Sequence, residues 1–531
     1  MKSRAVLKSI RVVIALLVII PLMFLFIDFA GYDLSSIRWL AKIQFTPALL
    51  SALSGVRIGL IILILLIILT LLFGRVYCSV VCPLGIMQDI FGRIARLFKS
   101  KKKRRYRYSR PLNILRYSVL GLCIVLFVFG CISLISYLDP YSNFGRIIQN
   151  IVRPVYIQLN NWAVTVLGWF DNYSLYFVSV NFEVFAFWFS FIAFVSLTVL
   201  VFMRGRLFCN TLCPVGGILS LISRYSIFKL DFDKDKCNKC GLCEMKCKSQ
   251  CIDSKQQKLD FNRCVICYNC INVCNRNAMN YKLSWRVKPE DIQPDNVTDN
   301  LPIEPVKLVV NSRRRFLGTA IASIGTVTLA YAQQQQARNG RTKGYTKDSP
   351  IAPPGAKSIA HLKSRCTACH LCVAQCPTQV IKPAFMEYGF GGLMMPRMDY
   401  EQHFCNFECT VCSEVCPNGA LQPLTIVEKK VAQIGKVYFV KRLCVVHTDG
   451  TDCGACSEHC PTKAVDMVPY RDGLRIPQVN RSICIGCGGC EFICPVRPFR
   501  AIYVDGNPEH EIADKPVEEE KKDIELDDFG F

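Results

Sequence analysis

The stretch Cys237–Cys247 reads CNKCGLCEMKC, and the stretch Cys264–Cys274 reads CVICYNCINVC. Each is a run of four cysteines spaced C-x2-C-x2-C-x3-C, which is typical of thiolates that wrap a [4Fe–4S] cluster. The fourth cysteine of each run usually ligates the cluster of the other run. The spacing therefore predicts one cluster on Cys237, Cys240, Cys243 and Cys274, and a second on Cys264, Cys267, Cys270 and Cys247. Zinc is the competing metal. Zinc sites, however, are built from C-x2-C pairs that need no third and fourth cysteine in the same run.

These two runs predict an α+β ferredoxin-like domain over residues 231–282. Two features depart from the usual pattern. Lys248 and Asn275 stand where proline usually follows the fourth cysteine, and Cys251 is an extra thiol.

Four further cysteine runs follow nearer the C-terminus, and proline follows the last cysteine of each run. The runs are Cys366, Cys369, Cys372, Cys376; Cys405, Cys409, Cys412, Cys416; Cys444, Cys453, Cys456, Cys460; and Cys484, Cys487, Cys490, Cys494. Sixteen thiolates can hold four more clusters, which makes six [4Fe–4S] clusters in all. We predict a second α+β ferredoxin-like domain at 356–508, with a linker at 333–355 and a disordered acidic tail at 509–531.

The segment Cys366–His370 also matches C-x-x-C-H, the attachment motif of c-type haem. Because Cys372 and Cys376 continue the cluster pattern and the cluster needs Cys366 and Cys369, the cluster interpretation is favoured. All six histidines lie after position 360, so the N-terminal half has none to ligate a b-type haem.

The N-terminal half carries apolar segments close to the ~20 residues that span a bilayer. They are Val12–Ala30, Val56–Phe73, Tyr117–Leu138 and Val184–Met203. These segments predict an α-helical multi-pass membrane domain over residues 1–225. The net charge of +23 is concentrated beside the spans, so it indicates positive-inside flanking rather than nucleic-acid binding. This rule places the N-terminus and residues 204–312 in the cytoplasm, and the loops 31–55 and 139–183 outside.

An internal repeat lies within this half. The segments Gly74–Gly85 and Gly205–Gly216 both contain C-x3-C-P, on Cys78 and Cys82 and on Cys209 and Cys213. Thiols at i and i+4 share one face of a helical turn, so two related hairpins can bring all four together. We predict an additional iron–sulfur or metal centre there, with thiols used for packing as the alternative.

The outward loop after the third span contains Asp139, Tyr141 and Arg146 beside aromatic residues. An acid, a phenol and a guanidinium at a membrane interface suit a quinol headgroup and its protons. An aromatic belt with a proline turn is the alternative, and composition alone favours it.

The polar segment 283–311 is predicted to be a linker. It leads into Ser312–Ala332, SRRRFLGTAIASIGTVTLAYA, which resembles a twin-arginine export signal. We expect it to stay as a fifth span, and whether it is cleaved is open. An ordinary membrane helix with a basic flank is the alternative, and both place the C-terminal domain outside.

The first half resembles the NapH family, through its four spans, its two C-x3-C-P motifs and its two-cluster ferredoxin. The second half resembles the NapG family, through Ser312–Leu317 and the four cysteine runs that follow. In that family two subunits form a quinol dehydrogenase that feeds periplasmic nitrate reduction. The resemblance implies a fusion of the pair (1–290 and 310–510). It also implies that the first outer run shares clusters with the fourth, and the second with the third.

We therefore expect a quinol dehydrogenase component in the bacterial inner membrane. It would pass electrons from menaquinol or ubiquinol to a periplasmic reductase or c-type cytochrome. Two alternatives stay open: a redox maturation or assembly factor of the CcoG or NosR type, and a carrier that moves electrons outward from a cytoplasmic donor.

Overall fold

The computed structural model describes residues 2–27, 34–98, 106–179, 182–283 and 347–515. The predicted signal-like segment 312–332, nearly all of the linker before it and the end of the acidic tail lie outside these residues. The described residues form a helical unit and two small cysteine-rich domains.

The helical unit begins with a long apolar helix and continues through a series of shorter ones. Its helices are α1 (Lys2–Ile27), α2 (Ser35–Lys42), α3 (Phe45–Leu53), α4 (Arg57–Phe73), α5 (Tyr77–Val80), α6 (Pro83–Phe98), α7 (Asn113–Val128), α8 (Ile132–Ser136), α9 (Pro140–Ile147), α10 (Arg153–Gly168), α11 (Val184–Arg204), α12 (Leu207–Thr211) and α13 (Pro214–Ser223). A π-helical turn, Ile148–Val152, joins α9 to α10.

The repeated sequence produces a repeated structure. α4 and α11 each end at a glycine with positive φ, Gly74 at +76° and Gly205 at +65°, a conformation that favours glycine. The chain then turns into α5 or α12, and Pro83 and Pro214 start the next helices, where a missing N–H costs nothing.

Two described helices are long and apolar enough to cross a membrane by length and composition, Val6–Ile27 and Val184–Arg204. Arg57–Phe73 and Asn113–Val128 are apolar but shorter. The predicted span Tyr117–Leu138 is wrong in its second half, because α7 ends at Val128. Gly130, with φ of +73°, separates it from the short helix α8.

The inner domain, named for its predicted location, follows α13. It contains two antiparallel strand pairs and two one-turn helices that follow cysteine loops. Its strands are β1 (Phe228–Phe232), β2 (Ile252–Asp253), β3 (Lys258–Leu259) and β4 (Met279–Leu283), and its helices are α14 (Leu242–Lys246) and α15 (Asn269–Val273). β1 pairs with β4, with Phe228 opposite Leu283, and β2 pairs with β3.

The outer domain repeats this plan on a larger scale. Its strands are β5 (Ile381–Pro383), β6 (Pro396–Met398), β7 (Ala432–Phe439), β8 (Val465–Pro469), β9 (Arg475–Val479) and β10 (Ile502–Ile512). They pair antiparallel as β5 with β6, β7 with β10, and β8 with β9. Its α-helices are Ile359–Arg365, Leu371–Ala374, Val411–Glu414, Ile426–Val431, Val445–Thr448, Ala455–Glu458 and Gly489–Ile493.

The outer domain extends past both predicted boundaries. Ile351 and Ala352, placed in the predicted linker, are buried in its core. At the other end β10 reaches Ile512, and Lys436 pairs with Glu511 at 2.9 Å. The part of the predicted tail that forms β10 is therefore folded.

The two domains contact opposite ends of the helical unit. At the end where α4 and α11 finish, Tyr281 donates a hydrogen bond to the carbonyl of Phe73 at 3.0 Å. At the other end, Glu183 pairs with Lys382 of the outer domain at 3.1 Å. The 21 residues of α11 lie between these ends, a length of about 31 Å.

Candidate iron–sulfur sites

The structure brings the inner cysteines into the two predicted sets. One cavity is lined by Cys237, Cys240, Cys243 and Cys274. A second cavity is lined by Cys247, Cys264, Cys267 and Cys270. In each set the fourth cysteine of one run has crossed to the other run, as the spacing predicts. Cys251 also lines the second cavity, with its Sγ 3.5 Å from that of Cys247.

The outer cysteines form four sets, each built from three cysteines of one run and the last cysteine of another. The sets are Cys366, Cys369, Cys372 with Cys416; Cys405, Cys409, Cys412 with Cys376; Cys444, Cys453, Cys456 with Cys494; and Cys484, Cys487, Cys490 with Cys460.

The predicted pairing of the first outer run with the fourth, and of the second with the third, is therefore wrong. Cys376 lies in one cavity with Cys405, Cys409 and Cys412. Cys494 lies in another with the first three cysteines of the third run. Runs that are neighbours in sequence exchange their last cysteines, as the two inner runs do, so the outer domain contains two ferredoxin-like units in succession.

A backbone contact joins the cysteine sets of the two units. The amide of Cys405 donates to the carbonyl of Cys487 at 2.9 Å, which joins a set of the first unit to a set of the second. The outer sets therefore form a continuous series.

The chemistry of these sets suits clusters. Burial raises the pKa of Cys372 and Cys412, and the neighbouring thiols in each set raise it further. Such thiols ionise when a positively charged metal core binds them. Among the described residues no three His, Cys, Asp or Glu side chains converge on a point that suits a single metal ion. A cluster has wider requirements, because its thiolates bind different iron atoms.

The environment of His370 excludes the haem interpretation of Cys366–His370. Both ring nitrogens of His370 have partners, Asn150 Nδ2 at 3.2 Å and the carbonyl of Met394 at 3.0 Å. Burial, and secondarily Arg146, lower its pKa to about 3. With Cys366 and Cys369 in a four-thiol set, neither the attachment site nor the axial ligand is available.

The predicted quinol residues Asp139, Tyr141 and Arg146 are brought together but are each only 1 % exposed. Asp139 caps α9, accepting from the amide of Ser142 at 2.7 Å. Burial raises its pKa, against hydrogen bonds from Thr46 and Ser142. The structure differs from the prediction in accessibility, since these side chains are enclosed at the junction with the outer domain.

Arg146 and Tyr141 both face the interior of that junction. Arg146 donates to the carbonyl of Ser136 at 2.7 Å and to Asn143 Oδ1 at 3.2 Å. Tyr141 packs against Phe26, with ring centroids 6.2 Å apart, and its pKa is raised by burial and by Cys369.

The four C-x3-C-P cysteines are also brought together. Cys78, Cys82, Cys209 and Cys213 are buried in one core. Burial raises the pKa of Cys213, and the thiols of Cys209, Cys82 and Cys78 each add to the rise. The predicted interface set therefore exists as a structural cluster.

Sequence reasoning missed the charged residues around this interface set. Asp89, 8 % exposed, lies 3.1 Å from Arg11, 2.9 Å from Arg206 and 2.9 Å from Lys248. Burial opposes its ionisation, but these three cations hold the pKa of Asp89 well below its usual range. The available signals were the arginine after each repeat glycine and the lysine in place of proline.

Buried sets of four thiols at this spacing define an iron–sulfur electron carrier. Comparison with known proteins agrees. Models described as "4Fe-4S binding domain" match residues 58–105, 185–234 and 360–382, and one described as "4Fe-4S dicluster domain" matches 451–497.

The chain belongs to the ferredoxin-type iron–sulfur proteins. It is 30% identical over 197 residues to the ferredoxin-type protein NapG of Escherichia coli, covering 35% of this chain and 81% of that protein. It is 26% identical over 154 residues to the ferredoxin-type protein NapF of Escherichia coli, covering 29% of this chain and 85% of that protein. An uncharacterized protein of Methanocaldococcus jannaschii is 30% identical over 227 residues, or 42% of this chain and 79% of its own length. No solved structure matches the chain significantly.

Proposed function

We propose that this chain is a membrane-bound electron carrier of the quinol dehydrogenase type, delivering electrons to a periplasmic reductase or c-type cytochrome. Its six ferredoxin-type cysteine sets would hold six [4Fe–4S] clusters, which supply one-electron transfer when bound. The observation that carries the proposal is a cleft between the helical unit and the outer domain, directly beside the first outer run.

The surface of the helical unit supports a membrane location. Ile58 and Leu65 on α4, Val128 on α7 and Leu17 on α1 are all at least 60 % exposed. Soluble proteins rarely leave so much contiguous apolar surface uncovered. α4 and α7, with 17 and 16 residues, reach about 24–26 Å, slightly less than the ~30 Å hydrocarbon core. The basic flanks favour a cytoplasmic location of the inner domain.

The cleft lies where the outer end of the helical unit meets the outer domain. It is a shallow cleft lined by Gln149, Asn150, Arg153, Glu183, Val373 and Lys382, among others. Phe182 lies at its edge, and the neighbouring helix α10 exposes Val155, Leu159 and Trp162. This apolar approach and polar interior suit a lipid-soluble molecule with a polar headgroup.

The position of Val373 ties the cleft to the cysteine sets. It lies one residue after Cys372 and three before Cys376, which belong to two different outer sets. A headgroup that contacts Val373 therefore lies beside a segment that supplies cysteines to both sets. The enclosed trio Asp139, Tyr141 and Arg146 then packs the wall of this junction.

The polar residues of the cleft suit quinol oxidation, which releases two electrons and two protons. The Glu183 carboxylate, 29 % exposed at its side chain, is placed to accept a proton. Lys382 lies 3.1 Å from it and also 3.7 Å from Asp399, so its ammonium can donate a hydrogen bond to a quinol oxygen.

The test is reduction of the purified, cluster-loaded protein by a menaquinol analogue. Reduction is measured as bleaching of the iron–sulfur absorbance. We expect Glu183→Gln to slow reduction of the clusters by quinol about 100-fold, the usual effect of losing a general base, while dithionite reduces the variant normally. Glu408→Gln is the control, since Glu408 forms an exposed pair with Lys430 at 2.6 Å. A wild-type protein that dithionite reduces and quinol does not would exclude a quinol donor.

A second candidate function is outward electron transfer from a cytoplasmic donor. It is favoured by the seating of the inner domain on the interface set, where the amide of Arg206 donates to the carbonyl of Lys248 at 3.2 Å. Reduction of the protein by a reduced soluble ferredoxin, and not by quinol, would select this function.

A further inference from the structure

The two C-x3-C-P repeats each supply half of a ligand set. The matched segments 58–105 and 185–234 contain two cysteines each, although both are described as 4Fe-4S binding domains. Two thiols cannot complete a cluster. The structure packs all four, from α5, α12 and the turns after them, into one buried core.

Two arginines cross between the repeats at this core. Arg75 of the first repeat donates to the carbonyl of Cys209 in the second, at 3.0 Å. Arg206 of the second repeat donates to the carbonyl of Cys78 in the first, at 2.6 Å. The two halves are thus related by an approximate two-fold axis that passes between the cysteine pairs.

Glycine is required for this crossing. A Cβ on Gly85 would meet Arg206 Nη1 at 3.1 Å and the carbonyl of Cys78 closer still. A Cβ on Gly216 would meet Arg75 Nη2 at 3.0 Å and the carbonyl of Cys209 in the same way. Both glycines therefore leave room for the guanidinium of the other repeat.

The buried cations at this core outnumber the carboxylates, so the charges do not balance without a further anion. Arg11, Arg75, Arg206 and Lys248 are each at most 6 % exposed. Their ion pairs in the described structure involve one carboxylate, that of Asp89. Arg75 instead donates to neutral oxygens, Asn210 Oδ1 at 2.9 Å and the carbonyl of Asn262 at 3.0 Å.

Burying unpaired cations is costly, so a compensating negative charge is expected. The thiols supply it if they are ionised. Arg75 Nη2 is already 3.9 Å from the Sγ of Cys78. Four thiolates around an oxidised iron–sulfur core carry a net charge of about −2, which offsets most of the excess.

A buried amide also points to a ligand at this core. Gln88, 2 % exposed, has its Oε1 3.2 Å from the Sγ of Cys209, and its Nε2 has no hydrogen-bond partner in the described structure. A metal-bound thiolate accepts hydrogen bonds and does not donate them. Turning the amide over would let Nε2 donate to Cys209 and remove the unsatisfied group.

The four thiols lie between the inner and outer sets. On the inner side, Cys267 belongs to the same core, and Lys248 follows Cys247 directly. On the outer side, Cys369 of the first outer set belongs to the same core.

We propose that Cys78, Cys82, Cys209 and Cys213 together hold one further iron–sulfur cluster, shared between the repeats, which joins the inner and outer sets into one series. This inference rests on the proposed electron-carrier function, but not on the identity of the donor. It makes the helical unit a conductor of electrons and not only an anchor.

The first test is chemical analysis of the purified full-length protein and of the double variant Cys82→Ala, Cys213→Ala. We expect the variant to lose about four irons and four sulfides per chain for a cubane, or about two of each for a [2Fe–2S] cluster. The control is Cys123→Ala with Cys131→Ala, thiols outside all seven sets, which should lose none. Unchanged iron and sulfide in a folded double variant, or zinc released in their place, would overturn the proposal.

The second test separates this proposal from the quinol site. With a reduced soluble ferredoxin on the inner side of vesicles, we expect the outer sets to be reduced in the wild type and not in the double variant. Quinol should still reduce the outer sets in both. If the ferredoxin reduces the outer sets of the wild type and quinol does not, the quinol donor is excluded and the shared cluster is still supported. Equal ferredoxin-driven reduction in both proteins would exclude the shared cluster as the link.

A third variant avoids any loss of folding from missing ligands. Arg75→Gln keeps all four thiols and removes one buried cation, so the cluster should remain and its midpoint potential should become more negative. A packing role for Arg75 alone would leave the potential unchanged in redox-titrated spectra, and that result would count against the charge argument.

Discussion

The ammonium of Lys248 lies 2.9 Å from the carboxylate of Asp89. Lys248 occupies the position after Cys247 where ferredoxin sequences usually have proline. Asp89 lies on α6 of the helical unit and also holds Arg11 and Arg206. The departure from the ferredoxin pattern therefore attaches the inner domain to the helical unit.

This relationship predicts unequal effects of two substitutions on stability. Asp89→Asn leaves three buried cations without their anion and should cost about 3–5 kcal/mol. Lys248→Met leaves Asp89 with two arginines and should cost about 1–3 kcal/mol. Denaturant unfolding followed by tryptophan fluorescence would measure both.

The matched control is Lys236→Met in the same domain. Lys236 is 63 % exposed at its side chain and pairs with Asp233 at 2.9 Å, so its loss should leave the unfolding curve unchanged. Equal effects at Lys236 and Lys248 would show that the buried attachment carries no special weight.

The pairing of outer cysteines predicts which thiols are released together. Cys416→Ala should expose Cys366, Cys369 and Cys372 to alkylation, because these four form one set. Peptide mass spectrometry after labelling identifies the released thiols. Release of Cys444, Cys453 and Cys456 instead would support exchange between the second and third runs.

Two substitutions of Asp139 distinguish a role in capping α9 from a role in accepting a proton. Asp139→Ala removes the cap of α9 and should cost about 1–2 kcal/mol, whereas Asp139→Asn keeps a side-chain acceptor and should cost little. Thermal unfolding compares the two variants. If a folded Asp139→Asn protein were reduced by quinol about as slowly as Glu183→Gln, the headgroup site would move back to Asp139.

The outer domain should lose stability in mild acid through His510. Burial lowers its pKa to about 4, against about 6.5 in the unfolded chain. Between these values the unfolded state binds the extra proton, so stability falls as the pH falls from about 6.5 towards 4. The loss approaches about 2–3 kcal/mol.

Unfolding measured at several pH values in this window would test the assignment. His510→Gln should make the dependence shallower without abolishing it, because burial also lowers the pKa of His370 in this domain. The exposed His447→Gln should leave the dependence intact. If stability fell as steeply with pH in the His510→Gln protein as in the wild type, the acid sensitivity would belong to another group.

The cysteine spacing predicted both inner sets, because the crossing of Cys247 and Cys274 is set by local loop geometry. The outer pairing was not predictable in this way. The choice between runs depends on how two ferredoxin-like units pack, and spacing within a run does not encode it. A resemblance supplied the pairing, and the positions of Cys376 and Cys494 show neighbouring runs folded as two successive units instead.

The interface set shows a similar division. The repeat placed four thiols at equivalent positions, and the structure brings them together. The charges around them were not foreseen, because Arg11, Asp89 and Lys248 come from three distant parts of the chain. The headgroup residues were misjudged for accessibility, since a loop sequence does not reveal that Asp139 and Arg146 will be covered by another domain.

The crossed arginines also bear on how the protein is made. Each hairpin carries two thiols and one guanidinium, and each guanidinium contacts a backbone carbonyl of the other hairpin, 134 residues away for Arg75 and 128 for Arg206. A chain whose hairpins have not met has neither a complete ligand set nor a burial site for either arginine. The two hairpins must therefore meet before this core can hold a metal, and a molecule in which they have not met has only half of the ligand set.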